Sequence, residues 1–309
     1  KIKDGFKHVY LGREDATGAT NVGGNLNFVD PTTIRSGKTA GSMTVDGSAK
    51  ITTNGNAFAL ASKELKAEAG SEVDTGMGGL TLKTDKIDLK GTMKGVKDLS
   101  ILPISLGQDI NLGASDPTKL SLLNEYFNGS NRVFWDYEVV NIGNPNGTGH
   151  LYQSGTIEMP FKVNIQHAIN NSAGDVNIGG TINTNGQDYS VTSNKVNLIS
   201  ATISADDPTG AHHGNVSIQA DTLTYTGSKI TGHGDVSFDT YTPGKTISFG
   251  TPGSGGAPTG LVLPTDVFSG TGLLQKNPDG TGFKKIRIGG TNAGDISVGN
   301  VTVPNGLAD

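Results

Sequence analysis

The chain has 309 residues, a net charge of −5 and no cysteine, which excludes disulfide staples, thiolate metal sites and cysteine nucleophiles. Its charges are spread without basic blocks, so nucleic acid has no electrostatic footprint here and is not expected as a partner. Glycine supplies 46 residues and aromatics only 6%, a composition suited to a chain that turns every few residues around a thin core.

In chain order, Phe6-Lys7-His8-Val9-Tyr10-Leu11-Gly12 alternates apolar and polar residues and stops at glycine, which predicts a short half-buried strand. The same pattern returns at Tyr137–Gly143 and Phe283–Gly289. Between these marks the segments also answer one another. Gly41–Val45, Thr53-Asn54-Gly55, Ser62, Leu65 and Leu80–Leu82 match Gly174–Ile178, Thr184-Asn185-Gly186, Ser193, Val196 and Val216–Ile218. Ile104-Ser105-Leu106-Gly107 answers Ile247-Ser248-Phe249-Gly250, and Leu120–Phe127 answers Leu261–Phe268. A tail at 1–28 followed by long repeats at 29–150 and 151–309 makes the chain read as one continuous slice of a longer array. Its opening Lys1-Ile2-Lys3 lacks a signal sequence, as in a processed chain or fragment.

A shorter period runs beneath the long one. Val176/Ile178, Val196/Leu198, Val216/Ile218 and Val236/Phe238 recur at a fixed period of roughly 20 residues, which predicts a parallel β-solenoid. All four valines are then expected in one column. With coils stacked ~4.8 Å apart, roughly 15 of them would make a rod on the order of 70 Å long. Two excursions, about 108–137 and 251–282, interrupt the rhythm. The second opens on the turn-rich Thr251–Gly260, and Pro264 bars its segment from an interior ladder.

The Phe-(Lys/His)-x-(Val/Ile)-x-(Leu/Ile)-Gly marks, together with Ile104–Gly113 and Gly174–Ile178, resemble repeats of the filamentous haemagglutinin-like family of exported bacterial adhesins. The resemblance implies a right-handed parallel β-helix exported by a partner outer-membrane transporter. It also implies an extracellular or cell-surface location, and attachment or biofilm function through a glycan or protein receptor that the sequence does not name. Bare coil edges make end-to-end self-association a further expectation.

Right-handed β-helices also include glycan-active enzymes and tailspikes, which set carboxylates from neighbouring coils side by side. Asp175 and Asp235 open strands, but the coils between offer Lys195 and Asn215, so no carboxylate ladder forms. No catalytic residue and no cofactor is assigned, and the leading expectation is a non-enzymatic protein. For ligand binding the candidates are Tyr126, Phe127, Phe134, Trp135 and Tyr137, whose rings either stack on sugars or staple the first excursion to the coils. No metal site is assigned either; the nearest candidates are Asp206, Asp207, His212 and His213, the densest polar cluster, whose His pair falls where the first repeat has Met77-Gly78. Asp207-Pro208-Thr209-Gly210 within it reads as a type I turn, and His8, His150, His167 and His233 show no ligand spacing. Sequons such as Asn170-Asn171-Ser172 arise readily in an Asn- and Thr-rich chain.

Overall fold

Residues 4–170, 173–250 and 260–308 are described by a computed structural model; Lys1–Lys3, most of Thr251–Gly260, Asp309 and two residues of the Asn170 sequon lie outside them. The chain is an all-β, right-handed parallel β-solenoid of about ten coils with added excursions. It divides into two compact units, Lys1–Asn144 and Pro145–Asp309.

In the first unit the strands Val9–Leu11, Thr32–Arg35, Phe58–Ala61, Leu80–Lys83, Asp98–Leu102 and Val139–Ile142 stack in parallel register. Alternation sends every second side chain inward, so Ile34, Leu60, Leu82, Ile101 and Ile142 superpose in one buried column. Each such side chain contributes roughly 1.5–3 kcal/mol on leaving water. Two further parallel ladders close the coil. One runs through Ala19–Val22, Ser42–Val45, Glu64–Ala67 and Lys86–Leu89. The other runs through Asn25–Asn27, Lys50–Thr52, Glu72–Asp74, Thr92–Lys94 and Phe134–Trp135.

The second unit stacks longer strands, Val176–Asn183, Tyr189–Ser204 and Val216–Thr226. Here the short period is only half a description. Val176 lies over Val196 and Val216 over Val236, one coil apart each time. Val196, however, pairs with Leu223, and Val216 with Tyr189. The single column expected for four valines is therefore two columns. The coil from Tyr189 to Val216 is longer than the period that brings Val216 to Val236, because the corner at 205–214 is enlarged. The coil from Leu80 to Leu99 is among the short ones. Coils of larger average length explain about ten turns in place of roughly 15.

The paired long repeats have structural counterparts. Thr53-Asn54-Gly55 and Thr184-Asn185-Gly186 make the same turn, with φ of 50° and 81° in one and 50° and 84° in the other. Positive φ at both central residues is what the Asn-Gly pair supplies. Leu120–Leu122 and Leu261–Leu263 are both strands, each followed by one helical turn, Asn124–Phe127 and Thr265–Phe268; Pro264 stands just outside the second turn. One match shifts by six residues. Ile104–Gly107 is a turn with Leu106 exposed. The counterpart of Ile247–Gly250 is instead Ile110-Asn111-Leu112-Gly113, since Ile110 pairs with Leu120 as Ile247 pairs with Leu261. The closing Gly113 and Gly250 share φ values of 87° and 83°.

Candidate functional site

The enlarged corner of the second unit carries the densest polar chemistry. Asp207–Gly210 forms the expected turn: the Gly210 N–H donates to the Asp207 carbonyl at 2.9 Å, and the Thr209 N–H to Asp207 Oδ1 at 2.8 Å. The Thr209 N–H, followed by its side chain, holds the Asp207 carboxyl below the usual carboxylate range. The chain then folds back, and Asp206 and His213 form an antiparallel bridge. His213 Nδ1 donates to Asp206 Oδ1 at 3.1 Å. Of the four sequence candidates, Asp206 and His213 converge. Asp207 and His212 stay in the turn outside the cluster, with the His212 Cβ close against Gly186.

His233 completes the group from the next coil. It stands beyond His213 by the same interval as Val236 beyond Val216, and beyond Asp206 by the same interval as Ile230 beyond Ile203. Its Nδ1 donates to Asp206 Oδ2 at 3.0 Å and its backbone N–H to Asp206 Oδ1 at 3.1 Å. The two imidazole centroids lie 4.6 Å apart. On its far side His233 Nε2 meets Thr281 Oγ1 at 2.6 Å and Asp279 Oδ2 at 3.2 Å, while the Thr281 N–H fixes Asp279 Oδ1 at 2.9 Å. Burial is the largest single influence on His233 and lowers its pKa; the carboxylates of Asp206 and Asp279 together outweigh it and leave the pKa raised. The ligand atoms of Asp206, His213 and His233 all lie within 4.8 Å of one another, and these side-chain types are those of zinc-class sites. The signal that would have found His233 is the coil period itself.

A polar groove of about 460 Å³ adjoins the cluster. Ser217, Ser237 and Arg287 stack in one outward column, with Asn215 and Asp235 on one side and Gln219 and Asp239 on the other. Asn215 and Asp235 follow His213 and His233 by two residues, at most ~7 Å of chain. Glycine brings these coils together at the junction, because a Cβ on Gly234 would meet the Gly214 carbonyl oxygen at 2.2 Å. Asp235 and Asp239 are four strand residues apart, ~13 Å along the backbone. That exceeds the roughly 5–9.5 Å between the carboxyls of a glycosidase pair.

In the first unit the aromatic candidates form a packed cluster. Tyr126, Phe127, Phe134 and Tyr137 are buried, with the Phe134 ring 6.4 Å from Tyr126 and 5.3 Å from Phe127. Phe134 continues the inward column above Met93, so this cluster joins the excursion to the coils. Trp135 points outward over Lys94, donates Nε1–H to the Arg132 carbonyl at 2.6 Å and carries the Arg132 guanidinium 4.1 Å above its ring. It alone of the five offers a partly exposed face.

No protein-family model, no curated protein and no solved structure matches the chain.

Proposed function

We propose that the chain is an adhesive segment of a secreted or cell-surface β-solenoid protein and that it engages glycans along the second unit. The carrying observation is the column Ser217–Ser237–Arg287 flanked by Asn215, Asp235, Gln219 and Asp239. Hydroxyls, amides and carboxylates in register suit sugar hydroxyls, and the guanidinium suits a carboxylate or sulfate on the same polymer. The resemblance to haemagglutinin-like exoproteins supports export by a partner outer-membrane transporter. Binding of the full chain to immobilised neutral and acidic glycans tests the reading. Arg287→Ala is expected to weaken binding to acidic glycans about tenfold, the scale of a lost charged hydrogen bond. Undiminished binding by this variant, or no binding by the parent, would remove the groove from consideration.

A glycan-active enzyme is the second reading, favoured by the Asp206–His213–His233 cluster beside that groove. Release of reducing ends or unsaturated sugars from the same glycans, abolished by Asp206→Asn, would replace attachment with turnover.

A further inference from the structure

We propose that Asp206, His213 and His233 bind one divalent transition-metal ion of the zinc class, through a carboxylate oxygen and two Nδ1 atoms, with Asp279 as a positioning carboxylate behind His233. This goes beyond the glycan reading and does not depend on it.

Distances favour the site. Zinc bonds of about 2.0–2.1 Å in a tetrahedron set neighbouring donor atoms roughly 3.4 Å apart. Asp206 Oδ1 already lies 3.1 Å from His213 Nδ1 and Asp206 Oδ2 3.0 Å from His233 Nδ1. One ligand atom from each residue lies within 4.8 Å of the others, so closure around an ion asks for side-chain rotations rather than backbone movement. Two imidazoles with one carboxylate favour zinc, nickel or copper over calcium and magnesium, which prefer all-oxygen shells.

The surroundings of His233 supply a second argument. A metal-bound histidine nearly always gives its other ring N–H to a carboxylate or another fixed acceptor. His233 does this at Nε2, where Thr281 and Asp279 receive it and Thr281 in turn holds Asp279. A simple surface ion pair has no need of such backing.

Without metal, both Nδ1 protons point at Asp206. On binding, the His213 proton moves to its other ring nitrogen, Nε2. The Nδ1 proton of His233 goes to solvent, while its Nε2–H stays with Thr281 and Asp279. No electrons move. The ion would join three stretches of the second unit: the 205–214 corner, the start of the next coil and the 277–281 loop.

Titrating the full chain with Zn²⁺ by calorimetry, and with Co²⁺ by visible absorption, tests the assignment. One ion per chain is expected, with the intense cobalt bands of a four-coordinate site and a Zn²⁺-dependent rise in the unfolding midpoint. His213→Gln and His233→Gln are each expected to weaken binding about 100-fold. Asp279→Asn should weaken it about tenfold, and His212→Gln should leave it unchanged. Circular dichroism confirms that each variant is folded. Absence of stoichiometric binding by the parent at micromolar Zn²⁺ would overturn the site. So would a His212→Gln loss equal to that of His233→Gln, since that result describes casual capture by surface histidines.

Discussion

The two units make the same coil by different means. In the first, strands of two to five residues end before each corner, and separate ladders meet there. In the second, three consecutive strands run longer, to 8, 16 and 11 residues, and carry on where short strands would stop. Tyr189–Ser204 spans 16 residues, with Ser200 at φ 55° as the extra residue where Gly180 pairs with Ala201, a bulge that turns the strand without ending it. Their outer rungs differ too. Lys50, Glu72 and Lys94 pair at 3.1 and 2.7 Å in the first unit. In the second, the Asn197 amide donates to Asn177 at 2.9 Å and accepts from Thr224 at 2.7 Å. A coil thus fixes what lies inside, apolar and in register, and leaves the outside any set of complementary neighbours. That freedom is where binding chemistry can accumulate.

The shared Thr-Asn-Gly turn gives the sharpest comparison. Gly55→Ala keeps ordinary room, 3.4 Å from the Met77 Cβ, so only its φ of 81° is strained, at about 1–2 kcal/mol. Gly186→Ala would in addition set a Cβ 2.6 Å from the Cβ of His212, adding about 1–3 kcal/mol of overpacking. Chemical denaturation of both variants should show the second unit's turn to be the costlier one. Equal losses would mean that the enlarged corner yields freely.

A smaller effect, of opposite sign, is expected at Tyr189. It stands five residues after Thr184, as Phe58 stands after Thr53, and both rings are buried. The Tyr189 hydroxyl has no protein partner among the described residues, and burial pushes its pKa up. Tyr189→Phe copies the first unit's solution and should stabilise by about 1 kcal/mol. A loss of stability in thermal unfolding would show that the hydroxyl is satisfied after all.

The smallest effect separates the two kinds of rung. Hydrogen bonds from Lys94, then Lys50, hold the Glu72 carboxyl below its usual range. A depressed carboxyl adds stability above its unfolded pKa, and that stability is lost as pH falls through the folded value. Glu72→Gln should therefore flatten the stability profile below about pH 4.3. At neutral pH it should cost no more than about 1 kcal/mol. A profile as steep as the parent's would show that the charged rung contributes nothing.

What the sequence disclosed follows from what repeats. Alternation and Asn-Gly turns are local, so the strand start at Val216–Ile218 and the turn at Asn185 can be read directly, whereas the run of that strand on to Thr226 breaks the alternation and cannot. Register is not local. The enlarged 205–214 corner displaces Val196 from Val216, and no set of spacings marks where a coil gains length. Asp206 and His213 are visible as neighbours in the chain. His233 reads as solitary although it sits one coil beyond His213, because the period announces itself through apolar residues alone. Asp279 and Thr281 arrive through an excursion whose return onto the coil no periodicity encodes.

The 205–214 corner accommodates its additional length while Ile203 still faces Ile230 and Val216 still faces Tyr189. Flanking strands therefore do not register how much peptide is threaded between them. A foreign epitope spliced between exposed Pro208 and Thr209 would hang from the molecule like cargo from a hook, and the beam behind it would not sag.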